Sequence, residues 1–295
     1  PEIIKKEMNS KLVTSRFDSI ESFRLSYSSG DRVRSFVKVQ DGCDYNCTFC
    51  TIPLARGKSR SSKISEIVDV VNSLDSKGYK EVVLTGINLG DFGKGINQNC
   101  FQLLKEIENS TSIPRIRISS IEPNLLSDNI IDLIASSKRF MPHFHIPLQS
   151  GSDRILKLMK RRYNVRFYSN KIKKIKSIIP NAAIGVDVIV GFPTETDDEF
   201  NETYSLLSNL EVSYLHVFAY SERENTFAIE LNPKVPQEIR NKRSKKLRVL
   251  SEYLKSQFII RNMDTNHTIL VESVDDNELH GYTENYIKFH INSNR

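Results

Sequence analysis

Three of the chain's four cysteines, Cys43, Cys47 and Cys50, stand within eight residues of one another in the stretch GCDYNCTFC. Soft thiolates at such short spacing hold zinc or an iron–sulfur cluster. Structural zinc takes four ligands, as a rule from two separated pairs of Cys or His. Here there is no second pair, and none of the six histidines lies within about ninety residues of Cys50. Three ligands with an open fourth position describe a catalytic metal centre. A [4Fe–4S] cluster on the three thiols meets that description: one iron stays free to bind a substrate or cofactor, to which the cluster can pass an electron. The alternative from the same residues is a zinc-stabilised, non-catalytic RNA-binding protein. Cys100, in QNCFQLL, reads as a small buried hydrophobe of a helix.

The trio must be held by something regular, and the chain supplies it. Short β-rich runs occur at 34–40, 81–86, 115–119, 143–148, 183–191 and 214–220. Between them lie stripes of helical period: Ile64, Ile67, Val68, Val71 and Leu74; Phe101, Leu104 and Ile107; Leu126, Ile130, Leu133 and Ile134; Phe200, Tyr204, Leu207 and Leu210. Ser152 and Asp153 predict a helix start, and Pro180 with Asn181 a stop. Six strands alternating with helices predict an α/β fold of βα units around a parallel sheet. Six units are too few for the eight-stranded barrel, so the expected architecture is an open, partial six-unit TIM-like barrel. Ligands then bind at the C-terminal ends of the strands. That end gathers the cysteines, Thr85-Gly86, Ser119-Ser120, Gln149-Ser150, Gly191 and Ser221 around one mouth.

After residue 235 the pattern changes. Pro236 opens a long helix with Ile239, Leu247, Leu250, Leu254 and Phe258 on one stripe and a basic cluster on the other; TILVESV, ELHGYT and NYIKFHI then read as two or three strands. Thirty residues do not complete an independently stable sheet domain. The polar stretch 1–32 begins without Met. The expectation is a chain cut at both ends.

Composition excludes several classes. At 295 residues, 39% hydrophobic and 26% charged, the chain is that of a folded protein. It has neither a run of roughly 20 apolar residues nor an N-terminal apolar signal core, so a cytoplasmic protein without membrane contact is expected. The net charge of +6 is unevenly spread. Ten Lys/Arg and no acid occupy 154–176, and six more without an acid occupy 240–248, which leaves 26 basic against 36 acidic residues elsewhere. Clustered charge of this kind suits a polyanion or a solvated helix face.

The C-x3-C-x2-C spacing, with Phe49 before the last Cys, resembles the radical S-adenosylmethionine enzymes. GCDYNCTFCTIPLARGKSRS, VVLTGINLGDFG, RIRISSIEP, HFHIPLQSGSDRILKLMKRRY, GVDVIVGFPTET and HVFAYSERENTFA together look like the methylthiotransferase branch, over about residues 33–290. Within that branch the chain resembles the bacterial tRNA enzymes that add a methylthio group to C2 of N(6)-L-threonylcarbamoyladenosine at position 37. LTGINLGDFG favours that branch over those acting on N(6)-isopentenyladenosine or on a ribosomal protein, which remain as alternatives.

The resemblance implies one [4Fe–4S] cluster on Cys43, Cys47 and Cys50 whose free iron chelates S-adenosyl-L-methionine. It implies cofactor contacts from Phe49, as an apolar wall near the adenine, and from Thr85, Gly86 and Asn88 near the methionine ammonium. Ser120 and Gln149 are suited to ribose or carboxylate hydrogen bonds, Arg161 to the methionine carboxylate, and Asp187 and Gly191 border the cofactor. It also implies a tRNA anticodon stem-loop as partner and an electron donor such as flavodoxin or ferredoxin; the oligomeric state is not fixed by these residues, with a monomer as the default expectation. Arg56, Lys58 and Arg60 follow the cluster loop and are candidates for RNA phosphates, as are Lys242, Arg243, Lys245 and Lys246. In domain terms the expectation is a linker from a missing N-terminal domain at 1–32, a radical core at 33–235, a basic connecting helix at 236–264 and an incomplete TRAM β domain at 265–295. Full-length relatives carry a second cluster on three further cysteines, thought to supply the sulfur. With only Cys100 left over, this chain is expected to bind one cluster and cleave S-adenosylmethionine without completing sulfur insertion.

Overall fold

The computed structural model describes residues 23–30, 33–275 and 277–292. The expected linker 1–32 lies outside the described residues except for 23–30, and residues 293–295 lie outside them as well.

Six parallel strands form the wall that the sequence predicts. A two-residue strand β1 (Ser26–Tyr27) lies antiparallel on β2 (Arg34–Lys38). A ribbon of β3 (Gln40–Asp41) and β4 (Arg60–Ser61) follows. The wall then continues with β5 (Glu81–Thr85), β6 (Arg115–Ile118), β7 (His143–His145), β8 (Ala183–Val190) and β9 (Tyr214–Ala219). The order β2-β5-β6 is parallel, as is β7-β8-β9. Parallel bridges Ile116–Phe140 and Ser120–His145 join the two halves. This is the open six-unit barrel.

Each strand obeys the period of two. On one face Val37, Val82, Leu84, Ile116, Ile118, Ile184, Val186 and Val188 are buried in a single apolar core with the helices. Those helices are Ile64–Ser76, Cys100–Ser110, Asp128–Ser136 and Asp197–Asn209, where the stripes place them, and Val165–Ile178, which lies outside those stripes. Cys100 is buried in its helix, as expected. Local chemistry sets their ends. Asn99 accepts from the Gln102 N–H while the Gln102 side chain accepts from the Asn99 N–H, and Thr196 and Glu199 make the same reciprocal box.

The stretch between Ser152 and Pro180 is not one helix. Asp153–Leu158 and Val165–Ile178 are separated by a turn in which Lys160 has φ 55°, and Asn164 caps the second piece through the Phe167 N–H. That break carries Arg161 toward the cysteines.

The long helix spans Gln237–Asn262, opening after Pro236. The basic stretch is not confined to its outer face: Arg240 and Arg243 are buried beside Leu247 and Leu250. The last strands, β10 (Ile269–Asp275), β11 (Glu278–Thr283) and β12 (Lys288–Asn292), form one antiparallel sheet. It covers the N-terminal end of the barrel. Arg115 donates to Glu81 Oε2 at 2.9 Å and to the Thr268 and Thr283 carbonyls at 3.3 and 2.9 Å. Arg34 bridges Glu81 and Glu272 at 2.5 and 3.0 Å, and the Tyr286 hydroxyl donates to Glu81. No helix among the described residues is long and apolar enough to cross a membrane.

Candidate active site at the barrel mouth

The loop after β3 carries the three thiols at the C-terminal end of the strands. It leaves the ribbon at Gly42, whose φ is 73° and where a Cβ would lie 2.0 Å from the Lys58 carbonyl oxygen, so only glycine fits. The loop is then pinned at both sides. Cys43 N–H donates to Gly57 O at 3.1 Å, Thr48 donates through its hydroxyl to Leu158 O at 2.8 Å, and Thr48 O accepts from Ala228 N–H at 2.9 Å.

Each sulfur is half-buried and receives one donor. Tyr45 N–H lies 3.4 Å from Cys43 Sγ, Ile52 N–H 3.4 Å from Cys50 Sγ, and Arg161 Nη1 3.1 Å from Cys47 Sγ. Burial pushes the Cys43 thiol up to about 11 and raises Cys47 and Cys50 as well, while these donors pull the other way. The ligand atoms that converge within 4.8 Å in a group of three, among the described residues, belong to His145, Asp187 and His216 and not to the thiols. The three sulfurs are therefore not all within 4.8 Å of one another.

Arg161 is anchored from behind. Its guanidinium pairs with Glu122, and its Nε donates to the Tyr163 hydroxyl at 3.1 Å. Tyr163 in turn donates to the Pro147 and Leu148 carbonyls at 2.8 and 2.9 Å. The side chain is only 3% exposed, which rules out the reading of one more solvated charge on a basic helix.

The remaining predicted residues divide. Phe49 packs on a small apolar cluster of Ile155, Met159, Phe192, Tyr220 and Ala228, an apolar wall at the mouth. Asn88 is buried with both ends of its side-chain amide unpartnered, an arrangement that calls for a ligand or water. Thr85 is already engaged, donating to Val37 O at 3.1 Å. Gln149, with φ 69°, is woven into β8 through the Asp187 carbonyl and the Ile189 N–H.

Four of the predicted cofactor contacts have close protein neighbours of their own. Gly86 is small because Gln40 occupies the adjoining space: a Cβ there would meet Gln40 Oε1 at 2.8 Å. Gly191, with φ 71°, makes room for Arg240, whose Cγ would lie 2.3 Å from an added Cβ. The Ser120 hydroxyl, expected on ribose or carboxylate, sits 2.6 Å from His145 Nδ1. Asp187 pairs with His145 Nε2 at 2.7 Å inside the barrel.

The basic candidates change. Arg56 and Lys58 are exposed at the rim, but Arg60 is held by Asp41 at 3.2 Å and by the Arg56 carbonyl. Lys242 and Lys245 are exposed, and Lys246 lies 4.3 Å over the Tyr204 ring. Arg243 is removed from the surface altogether: it is buried between Glu195 and Asp197, at 2.6 and 2.7 Å. Its reading as an RNA contact is corrected, because a buried cation with two carboxylates has no free charge to offer a phosphate.

Sequence reasoning left Glu122, Tyr163, His145 and His216 without a role. The histidines had a readable signal: HFH in β7 and YLH in β9 place them on the lumen face by alternation. Glu122 had none, since its partner lies 39 residues away.

The Radical SAM superfamily model matches residues 37–207. The chain is 43% identical over 255 residues to the threonylcarbamoyladenosine tRNA methylthiotransferase MtaB of Aquifex aeolicus, covering 86% of this chain and 61% of that protein. It is 44% identical over 266 residues to the protein of the same name from Rickettsia prowazekii, covering 89% and 62%. Against the tRNA-2-methylthio-N(6)-dimethylallyladenosine synthase of Bacillus subtilis the identity is 35% over 286 residues, covering 95% and 56%. The chain thus spans about three fifths of the length of these relatives.

Among solved structures, coproporphyrinogen III oxidase (HemN) of Escherichia coli superposes with a TM-score of 0.54 at 16% identity, covering 76% of this chain and 52% of that one. The radical S-adenosylmethionine methyltransferase TsrM of Kitasatospora setae, with cobalamin and a [4Fe–4S] cluster bound, gives 0.54 at 15%, covering 66% and 38%. These likenesses establish the shared α/β barrel core.

Proposed function

Because the chain belongs to the radical SAM superfamily, we propose that it is the catalytic core of a tRNA methylthiotransferase that adds a methylthio group to C2 of N(6)-L-threonylcarbamoyladenosine at position 37. The observation that carries this reading is the cysteine loop itself, three donor-supported thiols at the mouth of a six-stranded barrel. The higher identity to the threonylcarbamoyladenosine enzymes than to the dimethylallyladenosine enzyme supports the choice of base.

The residues fit the group the family implies. Cys43, Cys47 and Cys50 would hold a [4Fe–4S] cluster, which supplies one electron to cleave bound S-adenosylmethionine into methionine and a 5′-deoxyadenosyl radical. The chain's part is to bind and orient. Hydrogen bonds to the sulfurs from Tyr45, Ile52 and Arg161 stabilise thiolate character and tune the cluster. Arg161, fixed by Glu122 through Nη2 and by Tyr163 through Nε, places Nη1 beside Cys47, where its charge suits a carboxylate at the cluster. Asn88 offers an unpartnered amide, and Phe49 with Met159 and Phe192 excludes water from one side. Arg56 and Lys58 at the rim suit RNA phosphates. A tRNA anticodon stem-loop as substrate, a reducing protein such as flavodoxin or ferredoxin, a TRAM-type role for β10–β12 and a cytoplasmic site of action belong to the same reading.

The test is iron and acid-labile sulfide after anaerobic reconstitution, with 5′-deoxyadenosine measured under a strong reductant. About four irons per chain and reductant-dependent 5′-deoxyadenosine are expected. Zinc in place of iron, or a loaded cluster that releases no 5′-deoxyadenosine, would sink the reading.

A further inference from the structure

Below the mouth, the lumen of the barrel is lined by polar side chains. At its floor Glu81 is shared by Arg34 and Arg115. One layer higher, Asp187 Oδ1 is taken by His145 Nε2. Arg117, on the lumen face of β6, is left over. Among the described residues no carboxylate lies within 4 Å of it, and its Nε is buried without a hydrogen-bond partner. The guanidinium is fixed all the same: it lies 4.1 Å over the Tyr286 ring, with Nη2 3.4 Å from His143 Nε2. His143 Nε2 in turn lies 2.9 Å from the Tyr214 hydroxyl. A buried-side cation that is held in place yet lacks an anion is a preorganised site for one.

The neighbouring wall completes the site. His216 lies between Tyr214 and His145, its ring tilted to both with centroids at 5.3 and 5.1 Å, and its side chain is 49% exposed. Its Nδ1 is 3.8 Å from Asp187 Oδ1, too far for a hydrogen bond, so its ring N–H is available. Desolvation and the nearby His145 hold it below the usual histidine range, so at neutral pH it is an uncharged donor.

We infer that Arg117 and His216 form a carboxylate-binding site in the lumen, which receives the free carboxylate of the substituent on the substrate base. This rests on the methylthiotransferase reading above, and it assigns what that reading leaves open: how a base bearing a threonylcarbamoyl group is told from one bearing an apolar group. The depth is compatible. Arg117 lies two residues before Ser119, which directly follows β6, about 6.6 Å at the rise of a β-strand. That is the reach of the threonylcarbamoyl substituent itself, from the adenine amino nitrogen to its carboxylate. A guanidinium facing an apolar substituent would be left unpaired, which is the stronger half of the discrimination.

The experiment is equilibrium binding, without reductant, of an anticodon stem-loop RNA carrying N(6)-threonylcarbamoyladenosine, against the same RNA with that carboxylate as its methyl ester. The cluster-loaded chain is expected to prefer the acid by about tenfold, or 1.4 kcal/mol. The ratio is expected to fall to about one in Arg117→Gln and to drop severalfold in His216→Phe. Equal binding of acid and ester by the unsubstituted chain, binding of neither, or a preference that survives both substitutions would overturn the site. A preference that appears only with added zinc, and is abolished by EDTA, would overturn it too, since it would assign His145, Asp187 and His216 to a metal. If Arg117→Gln fails to fold, the acid-to-ester ratio of the unsubstituted chain and of His216→Phe still decides. Failure of the radical reading shows separately, as absent 5′-deoxyadenosine.

Discussion

The two ends of one barrel treat polar groups in opposite ways. At the floor, Glu81 is fully buried and carries Arg34, Arg115 and Tyr286, and Arg115 also reaches two carbonyls of the C-terminal sheet. At the mouth, Asn88 is buried with neither end of its amide paired, the Ser119 hydroxyl has no partner, and each of the three thiols has a single donor. Buried polar groups left unpaired cost stability. A chain that gathers two guanidinium groups and a hydroxyl on one carboxylate at one end, and leaves an amide and a hydroxyl open at the other, has a structural end and a ligand end.

The difference can be broken most severely at the ligand end. Cys47→Ala is expected to abolish cluster retention and 5′-deoxyadenosine formation together, read from iron content and product analysis. A variant that keeps its iron would remove Cys47 from the ligand set. The floor should fail differently. Glu81→Gln strips the shared carboxylate from two buried guanidinium groups and is expected to cost about 3–5 kcal/mol, as for other buried pairs that lose one partner. Denaturant unfolding measures the loss, with hydrogen exchange rising first in β10–β12. The same loss of protection in the Cys47 variant would erase the contrast.

Smaller effects sharpen it. Arg161→Lys keeps the charge but not the planar fork, so S-adenosylmethionine affinity should fall by about tenfold while iron content holds; equilibrium dialysis on the loaded chain reads this. Asn88→Ala removes an unpaired buried amide. The cluster-free chain should melt no lower than before, while cofactor affinity falls, and a clear drop in melting temperature would mean the amide has a structural partner.

The smallest effect lies beside the floor, at Lys176, whose ammonium donates to Ala182 O at 2.7 Å and whose pKa burial lowers to about 8. Between pH 8 and the usual lysine range the unfolded chain holds more protons than the folded one, so this residue makes stability rise with pH across that window. Below pH 8 both states are protonated and the slope vanishes. Comparing unfolding free energies at pH 7.5 and 9.5 with those of Lys176→Met should show the rise only in the unsubstituted chain.

Much of the frame was legible because its signals are local. The six strands, the four apolar helix stripes and the helix start at Ser152-Asp153 follow from periods of 2 and 3.6 residues and from local capping preferences. The cysteine loop was legible for the same reason: its three thiols lie within eight residues. The charges were not. Lys/Arg at 154–176 and 240–248 look alike in sequence, yet Arg161, Lys176, Arg240 and Arg243 turn inward while Lys242 and Lys245 stay in water.

What the sequence determined by itself is therefore the order of βα units, the identity of the three thiols and the side of the barrel on which they stand. Only the tertiary structure decided which charge meets which partner. Arg161 reaches Cys47 across 114 residues and Tyr286 reaches Glu81 across 205. It also decided that Gly86 and Gly191 yield their space to Gln40 and Arg240. The physical reason is range. Backbone propensity and amphipathic period act within a few residues, whereas desolvation makes a buried charge take whatever counter-group the packed chain brings within about 4 Å.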